Sequence, residues 1–567
     1  MYNAFDFLFF LGTLLAVMAV GFWSGRQQKE SVSGYFRGGN RLPWYAISFS
    51  IIAAGISSEQ FVGEMGYAYK LGMPVVNWEW LVFPALSILL WIFVPLYVRH
   101  GVTTMPEYLQ KRFDASTRTV YAYLSVLSYV FVNFALVFYT GGYALEQMWQ
   151  MDRVWAVWML ALLTGLYTVY GGLSAVAWTS SLQCLLLMGG GIYVFFSGMQ
   201  AIGWDFRAML GSGQQAHLAT PADHPEVPWP ALVILALSTN TWYYATNQYI
   251  NQRCLAARDE WHAKMGVLFA GGLQLLIPLA TCLPAMAYRV LNPNLTDHNA
   301  AYPTVVAAFV PMGFRGLVAA AIVGAIMSTI SGLVNSTSTI VTLDIVQRGV
   351  GRHWSEERLV RLGRWSGAAA LLIGALFAPV VMRWESLFRY AQDIWAPMAA
   401  PVVVVFLAGA LWEKAGARAA HLCLWLALLT VPLTLTKSFL ADLDIHFLPE
   451  NLENPMVFAG AVSLASWTVM FVFSSVRSWV WAAALVLTLW AGIGRMAVWS
   501  PSATALILAG VMGSVIGAAV LQRKHPAVGL WDVSMLRTWP LRSWFASIWF
   551  WWSISAGVFA FLYILFW

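Results

Sequence analysis

The chain has 567 residues, 60% of them hydrophobic and only 10% charged, with a mean hydropathy of +0.66. A water-soluble protein sits nearer half apolar and a quarter charged, so this composition excludes a soluble globular fold and requires lipid as solvent. The net charge of +6 does not point to nucleic acid, because the Lys and Arg residues fall in short loops between apolar stretches, where they set membrane orientation.

Apolar stretches long enough to cross a bilayer, about 20 residues each, recur at 5–25, 44–66, 76–98, 120–145, 154–172, 176–200, 229–252, 265–290, 316–345, 362–382, 386–411, 418–436, 457–476, 479–497, 503–521 and 544–566. The first has no basic segment before it, carries Asp6 early and is followed by Arg26 and Lys29, so it reads as a retained span and not as a signal peptide. Basic residues cluster in alternate loops, around 26–41, 99–118, 253–264, 348–361 and 523–542. That alternation predicts a multi-pass protein of the cell membrane with these loops in the cytoplasm and the amino terminus outside. The acidic loop 437–456 reads as external. Cys184, Cys254, Cys282 and Cys423 are far apart and lack a CxxC pairing, which predicts packing residues, not disulfides.

Two spans are polar in the middle. The second carries Ser57-Ser58-Glu59-Gln60 and the seventh Ser238-Thr239-Asn240-Thr241-Trp242-Tyr243, at corresponding places of a five-plus-five arrangement. Helices interrupted at matching positions point to a transport site, because unwinding frees carbonyls and helix ends at the midplane. Glu59, Gln60 and Glu79 lie inside apolar spans, where an acidic group costs roughly 2.5–3.5 kcal/mol. Such groups either bond neighbouring helices as structural glue or line a wet cavity. With Asn240 and Gln392 they make a set of amides and carboxylates without a basic partner, suited to the hydroxyls of a sugar or polyol.

The ninth span contains Ala325-Ile326-Met327-Ser328-Thr329. Its hydroxyls can bond back to carbonyls one turn earlier. Alternatively, with carbonyls freed around Ala53 and Ile56, they complete an all-oxygen shell for sodium. Most of the 31 tryptophans mark span ends, as interface anchors do, although Trp78 stands beside Glu79. No phosphate loop, His/Cys cluster or nucleophile elbow occurs in a suitable context, so an ion gradient is expected to supply the energy.

Six stretches, Tyr35-Phe36-Arg37-Gly38-Gly39, Ile56 to Gly63, Thr104-Met105-Pro106-Glu107-Tyr108-Leu109, Tyr170 to Val176, Asn247 to Arg253 and Asn335-Ser336-Thr337-Ser338-Thr339, occur in an order and spacing that resembles the sodium/solute symporter family. Within it, the likeness is to the sodium/galactose and sodium/glucose cotransporters. The resemblance covers residues 30 to about 410 and implies an all-α polytopic membrane protein of the leucine-transporter-like fold, with about 14–16 spans. Its inverted repeats of five helices would occupy 44–200 and 229–411, around an external loop at 201–228. An extra span and cytoplasmic loop at 1–43 would precede them, and additional spans over 412–567 would follow.

Carried over residue by residue, the resemblance implies sugar ligands at Gln60, Glu79, Asn240 and Gln392, and an inner-gate tyrosine at Tyr243. It implies sodium ligands in the carbonyls of Ala53, Ile56 and Ala325 and the hydroxyls of Ser328 and Thr329. Glu64, Trp78 and Phe388 fall at gate positions. Four positions depart from the family's pattern: Gln274 replaces a lysine that touches the sugar, Val82 a serine, Glu64 an apolar outer-gate residue, and Ser180 an aspartate on the cation path. The last implies one sodium per substrate. The function so implied is sodium-coupled import of a neutral sugar or polyol by alternating access, through a monomer or weak homo-oligomer in the bilayer. A symporter of another solute (amino acid, carboxylate, sialic acid or vitamin) is the alternative, and a carboxylate would want a basic residue that this acidic set lacks. A solute sensor on the same fold, or a membrane enzyme, has less in its favour, since no signalling domain, nucleophile or base stands out.

Overall fold

Lipid offers no partner to a backbone N–H or C=O, so a spanning chain must bond its own polar groups, and helices do so within one segment. The computed structural model describes residues 3–26, 31–56, 59–222, 224–379, 387–441, 454–474, 529–536 and 546–567. These residues form helices and short connections, with one isolated bridge between Leu42 and Ala257. Ten helices are long and apolar enough to cross a membrane, or eleven if one bent pair counts as a span. The expected spans at 479–497 and 503–521 lie outside the described residues.

In chain order the elements that matter are α1 (Ala4–Gly25), α2 (Trp44–Gly55), α3 (Glu59–Glu64, running on through Met65–Leu71), α4 (Met73–Arg99), α5 (Met105–Arg112), α6 (Ala115–Trp149) and α7 (Arg153–Ala201). They continue with α8 (Trp229–Ile234, extended by Leu235–Asn240 and Trp242–Thr246), α9 (Gln248–Leu255), α10 (Glu260–Gln274), α11 (Ile277–Leu291), α12 (Ala301–Phe309) and α13 (Arg315–Val346). The last are α14 (Glu356–Phe377), α15 (Leu387–Leu411), α16 (Ala417–Ala441), α17 (Pro455–Ser474) and α18 (Ile548–Phe566). The stretch expected as one span at 265–290 is bent by 40° between α10 and α11, just before Pro278.

Asp6, used above to reject a signal peptide, has a structural task. It closes a capping box with Asn3 at the start of α1, with bonds of 2.8 and 3.0 Å. Its Oδ1 also accepts the N–H groups of Gly313 (3.0 Å) and Gly316 (2.9 Å), which ties α1 to the start of α13. Helix α13 is the hub, with 94% of its apolar window buried, whereas only 6% of that of α18 is. The last helix lies along α4, where Trp549 stacks on Trp91 at 4.0 Å and the Tyr563 hydroxyl donates to Asn77 at 2.6 Å.

Helix α7 runs 49 residues, which at 1.5 Å per residue would reach about 70 Å, more than twice a bilayer core. It is two antiparallel arms. The Tyr167 hydroxyl donates to the Met327 carbonyl (3.3 Å) from one arm, and Ser180 bonds Ser328 (2.7 Å) from the other, so residues 13 apart meet adjacent positions of α13. The chain doubles back at Gly172, whose φ of 60° and ψ of −154° suit only glycine. This matches the expected spans at 154–172 and 176–200. On the first arm, Gly171 approaches Gly25 of α1 so closely that a Cβ on Gly25 would lie 2.5 Å from the Gly171 Cα.

Three of the sequence motifs meet at one side chain. The Gln252 amide nitrogen lies 2.7 Å from the Phe36 carbonyl, 3.0 Å from Asn335 Oδ1 and 2.9 Å from the Thr339 hydroxyl, while its oxygen accepts from Ser336 at 3.0 Å. A fourth motif is held by Asp344 of α13, which accepts from Thr104 (2.8 Å) and pairs with Arg118 (2.6 Å).

Gly172→Ala should lower stability by about 1–3 kcal/mol, since it forces a Cβ into a positive-φ position and against the Tyr35 carbonyl. Gly190→Ala, whose Cβ would find its nearest neighbour at 3.8 Å, should be neutral. Thermal unfolding of the purified variants in detergent checks both, and equal melting temperatures for the two would contradict the hairpin.

Candidate ion and solute site

Helix α2 stops at Gly55, because Ile56 turns to extended backbone (φ −108°, ψ 118°), and the chain resumes helically at Glu59. The last carbonyls of a helix have no helical N–H to accept from. Here the Gly55 carbonyl takes the Gln60 amide at 3.1 Å, and the Ala54 carbonyl faces the Thr329 hydroxyl at 3.3 Å. That hydroxyl is equally 3.3 Å from the Ala325 carbonyl, one turn back on its own helix. The Thr329 hydroxyl thus lies between a back-bond on its own helix and the end of the broken one. Ala53, Ile56, Ala325, Ser328 and Thr329 are all buried. Their oxygens are the hard, neutral donors that a small monovalent cation takes.

The second interruption lies elsewhere than expected. Ser238 to Tyr243 stay helical, in the wide turns of α8, and the chain breaks instead at Asn247 (φ −83°, ψ 131°). Tyrosines hold that break. Tyr97 and Tyr121 donate to the carbonyls of Ala245 (3.1 Å) and Thr246 (2.9 Å), and Tyr129 bonds the Asn247 side chain and accepts the Gln248 N–H at 3.1 Å. Asn247 can leave the helix because these hydroxyls, from α4 and α6, replace the lost bonds.

Around the solute candidates, Glu79 accepts from the Gln274 amide, and Glu64 accepts from the Cys282 thiol at 3.1 Å. All four side chains are buried. The departure noted at Gln274 is thus a donor to Glu79, and the one at Glu64 an acceptor for Cys282. Asn240 and Gln392 are buried as well. Asn240 Nδ2, Gln392 Oε1 and Gln274 Oε1 are polar atoms with no hydrogen-bond partner. Helix α15, which carries Gln392, packs against both α3 and the wide turns of α8. One turn along from Gln392, Trp395 lies 5.9 Å from the ring of Tyr243, which is buried against Tyr249 at 5.4 Å. Trp78 is half-buried, Val82 is buried, and the side chains of Glu59 and Phe388 lie outside the described ones.

The family model of the sodium:solute symporter family matches residues 35–427, more than half of the chain. The protein belongs to the sodium:solute symporter family. It is a transporter and not an enzyme, and it moves a small solute together with sodium across a membrane that it crosses many times. It is 32% identical over 446 residues to a sodium/glucose cotransporter of Vibrio parahaemolyticus, covering 73% of this chain and 82% of that one. It is 31% identical over 506 residues to sodium/myo-inositol cotransporter 2 of Sus scrofa, covering 80% and 75%. Among solved structures, a Na+-coupled sialic acid symporter in a substrate-bound outward-open state superposes with a TM-score of 0.71 at 22% identity, covering 84% of this chain and 98% of the other. That likeness concerns the fold, which is the leucine-transporter-like one expected.

Sequence reading did not find the tyrosine-held break at Asn247 or the bond between Gln274 and Glu79. Both depend on contacts between spans far apart in the chain, for which no local spacing is a signal. Gln274→Leu should remove a donor from a buried carboxyl and cost about 1.5–3 kcal/mol. An unchanged melting temperature in detergent would contradict the bond to Glu79.

Proposed function

We propose that the protein imports a neutral sugar or polyol with one sodium ion, by alternating access. The observation that carries the solute reading is the set of unpartnered buried atoms, the Asn240 amide nitrogen and the Gln392 and Gln274 amide oxygens. A buried polar atom left unpaired costs about 1–3 kcal/mol. Hydroxyls both donate and accept, so a polyhydroxylated molecule relieves donor and acceptor orphans alike. In this reading Gln60 and Glu79 would complete the ligand set, Tyr243 would serve as the inner gate, and Glu64, Trp78 and Phe388 would be further gate residues. The names of two relatives, glucose and myo-inositol cotransporters, agree with that chemistry.

Sodium would take the carbonyls of Ala53, Ile56 and Ala325 with the hydroxyls of Ser328 and Thr329. Holding the end of α2 against α13, it preorganises the broken helix for the solute, and the coupling must be reciprocal. Ser180, whose hydroxyl touches Ser328, adds no negative charge, in keeping with a single sodium. The repeats are assigned to 44–200 and 229–411, with the amino terminus outside the cell membrane.

Uptake into proteoliposomes under an inward sodium gradient, from a panel of labelled hexoses, polyols, amino acids and sialic acid, tests the reading. A hexose or polyol should be taken up. Ser328→Ala should raise the sodium concentration for half-maximal uptake about tenfold or more, the worth of one ion-directed ligand. Sodium-driven uptake confined to amino acids or sialic acid would overturn the solute, and an unchanged sodium response in Ser328→Ala would overturn the ion site.

A further inference from the structure

We infer that Arg253 is a charge barrier beside the ion site, on the side proposed as cytoplasmic, where its guanidinium weakens sodium binding and excludes divalent cations. The inference rests on the ion ligands proposed above at Ala53, Ile56, Ala325, Ser328 and Thr329. Arg253 is a buried side chain of α9. Its Nε donates to the Ser50 hydroxyl at 2.6 Å and its Nη1 to the Tyr249 carbonyl. Nη2 has no hydrogen-bond partner, and neither acceptor of the other two nitrogens is a carboxylate. A guanidinium keeps its proton in a protein, so the charge persists and neither bond cancels it.

The position of that charge is fixed by two helices. Ser50 lies on α2 one turn before Ala53. Nη2 faces Gly332 of α13, where a Cβ would lie 3.0 Å from it, and Gly332 follows Ser328 and Thr329 by one turn. The two helices run antiparallel here, since Thr329 faces Ala54 while Ser50 and Gly332 meet at Arg253. The guanidinium is therefore one turn from the ion ligands along both helices at once, about 5–6 Å. Helices α2, α9 and α13 all pack against one another around it. Farther along α13 in the same direction, Asn335, Ser336 and Thr339 are gathered by Gln252. An ion moving between α2 and α13 toward the basic loops at 26–41 and 348–361 meets Arg253 first and Gln252 next.

A fixed positive charge that close, in a buried setting, opposes any cation at the site, and the opposition doubles for a divalent one. Calcium is close to sodium in radius and takes the same oxygen ligands, so a neutral shell does not separate the two by fit. The charge beside the shell does. Transport needs an ion held tightly enough to couple and loosely enough to leave, and Arg253 sets that balance from the release side.

Equilibrium binding of tracer sodium to the full-length protein in detergent, with no solute present, tests the barrier. Arg253→Gln should bind sodium about tenfold more tightly than wild type, and Arg253→Lys, which keeps the charge, should stay within about threefold of it. Loss of a structural bond alone would loosen the site, so the direction of the change separates a barrier from a strut. Ser50→Asp sets a carboxylate beside the guanidinium without removing it and should also tighten binding, which decides the matter if Arg253→Gln does not fold. Calcium at the concentration of sodium should leave wild-type binding unchanged and should compete in Arg253→Gln; no competition there would overturn the exclusion of divalent ions. Sodium binding unchanged or weaker in both neutralising variants would overturn the barrier. Ser328→Ala, measured alongside, tells which reading has failed. If it weakens binding about tenfold while Arg253→Gln and Ser50→Asp do not tighten it, the ion site stands and the barrier falls. If none of the three alters binding, the ion site falls as well.

Discussion

The structure depends on one constraint: inside a bilayer, every backbone polar group must be bonded by the protein itself. Unbroken helices meet it at no cost in design. A transport site cannot, because it needs carbonyls and helix ends directed at cargo, and so it needs helices that stop in mid-membrane. Two such stops occur among the described residues, and side chains permit both. At Gly55 and Ile56 these are Gln60 and Thr329; at Asn247 they are Tyr97, Tyr121 and Tyr129.

The two breaks are satisfied to different degrees. Tyrosine hydroxyls reach the carbonyls of Ala245 and Thr246 at 3.1 and 2.9 Å, whereas the single Thr329 hydroxyl is divided between Ala54 and Ala325 at 3.3 Å each. One proton shared at long range leaves carbonyl oxygen with capacity to spare, and oxygen with spare capacity is what a cation binds. The break at Ile56 is accordingly the one at which we propose that the ion binds. Helix α13 faces that break with Ala325, Ser328 and Thr329, and it is anchored at one end by Asp6 and at the other by Asp344 with Arg118.

Much of this was legible in the sequence, for identifiable reasons. Lipid enforces long apolar stretches, so the spans could be counted, and polar residues in such stretches are costly enough to mark the first break and Glu79. The separate spans expected at 154–172 and 176–200 fit the two arms that meet at Gly172. The polar run at 238–243 misled, because wide helical turns accommodate it and the break falls four residues later, where tyrosines from other spans happen to reach. The bond between Gln274 and Glu79 and the convergence of three motifs on Gln252 were also hidden. Each residue had been singled out in its own segment, but contact between segments is written in tertiary packing and not in spacing.

Coupling at the first break is the centre of this account, and reciprocity gives its most direct measure. Proteoliposomes with equal sodium on both sides, loaded with tracer sodium outside, are given an inward gradient of D-glucose or myo-inositol. The account predicts that the solute gradient drives tracer sodium inward, and that Ser328→Ala and Gln60→Ala each uncouple it. Solute entry with no accompanying sodium, in the intact protein, would contradict it.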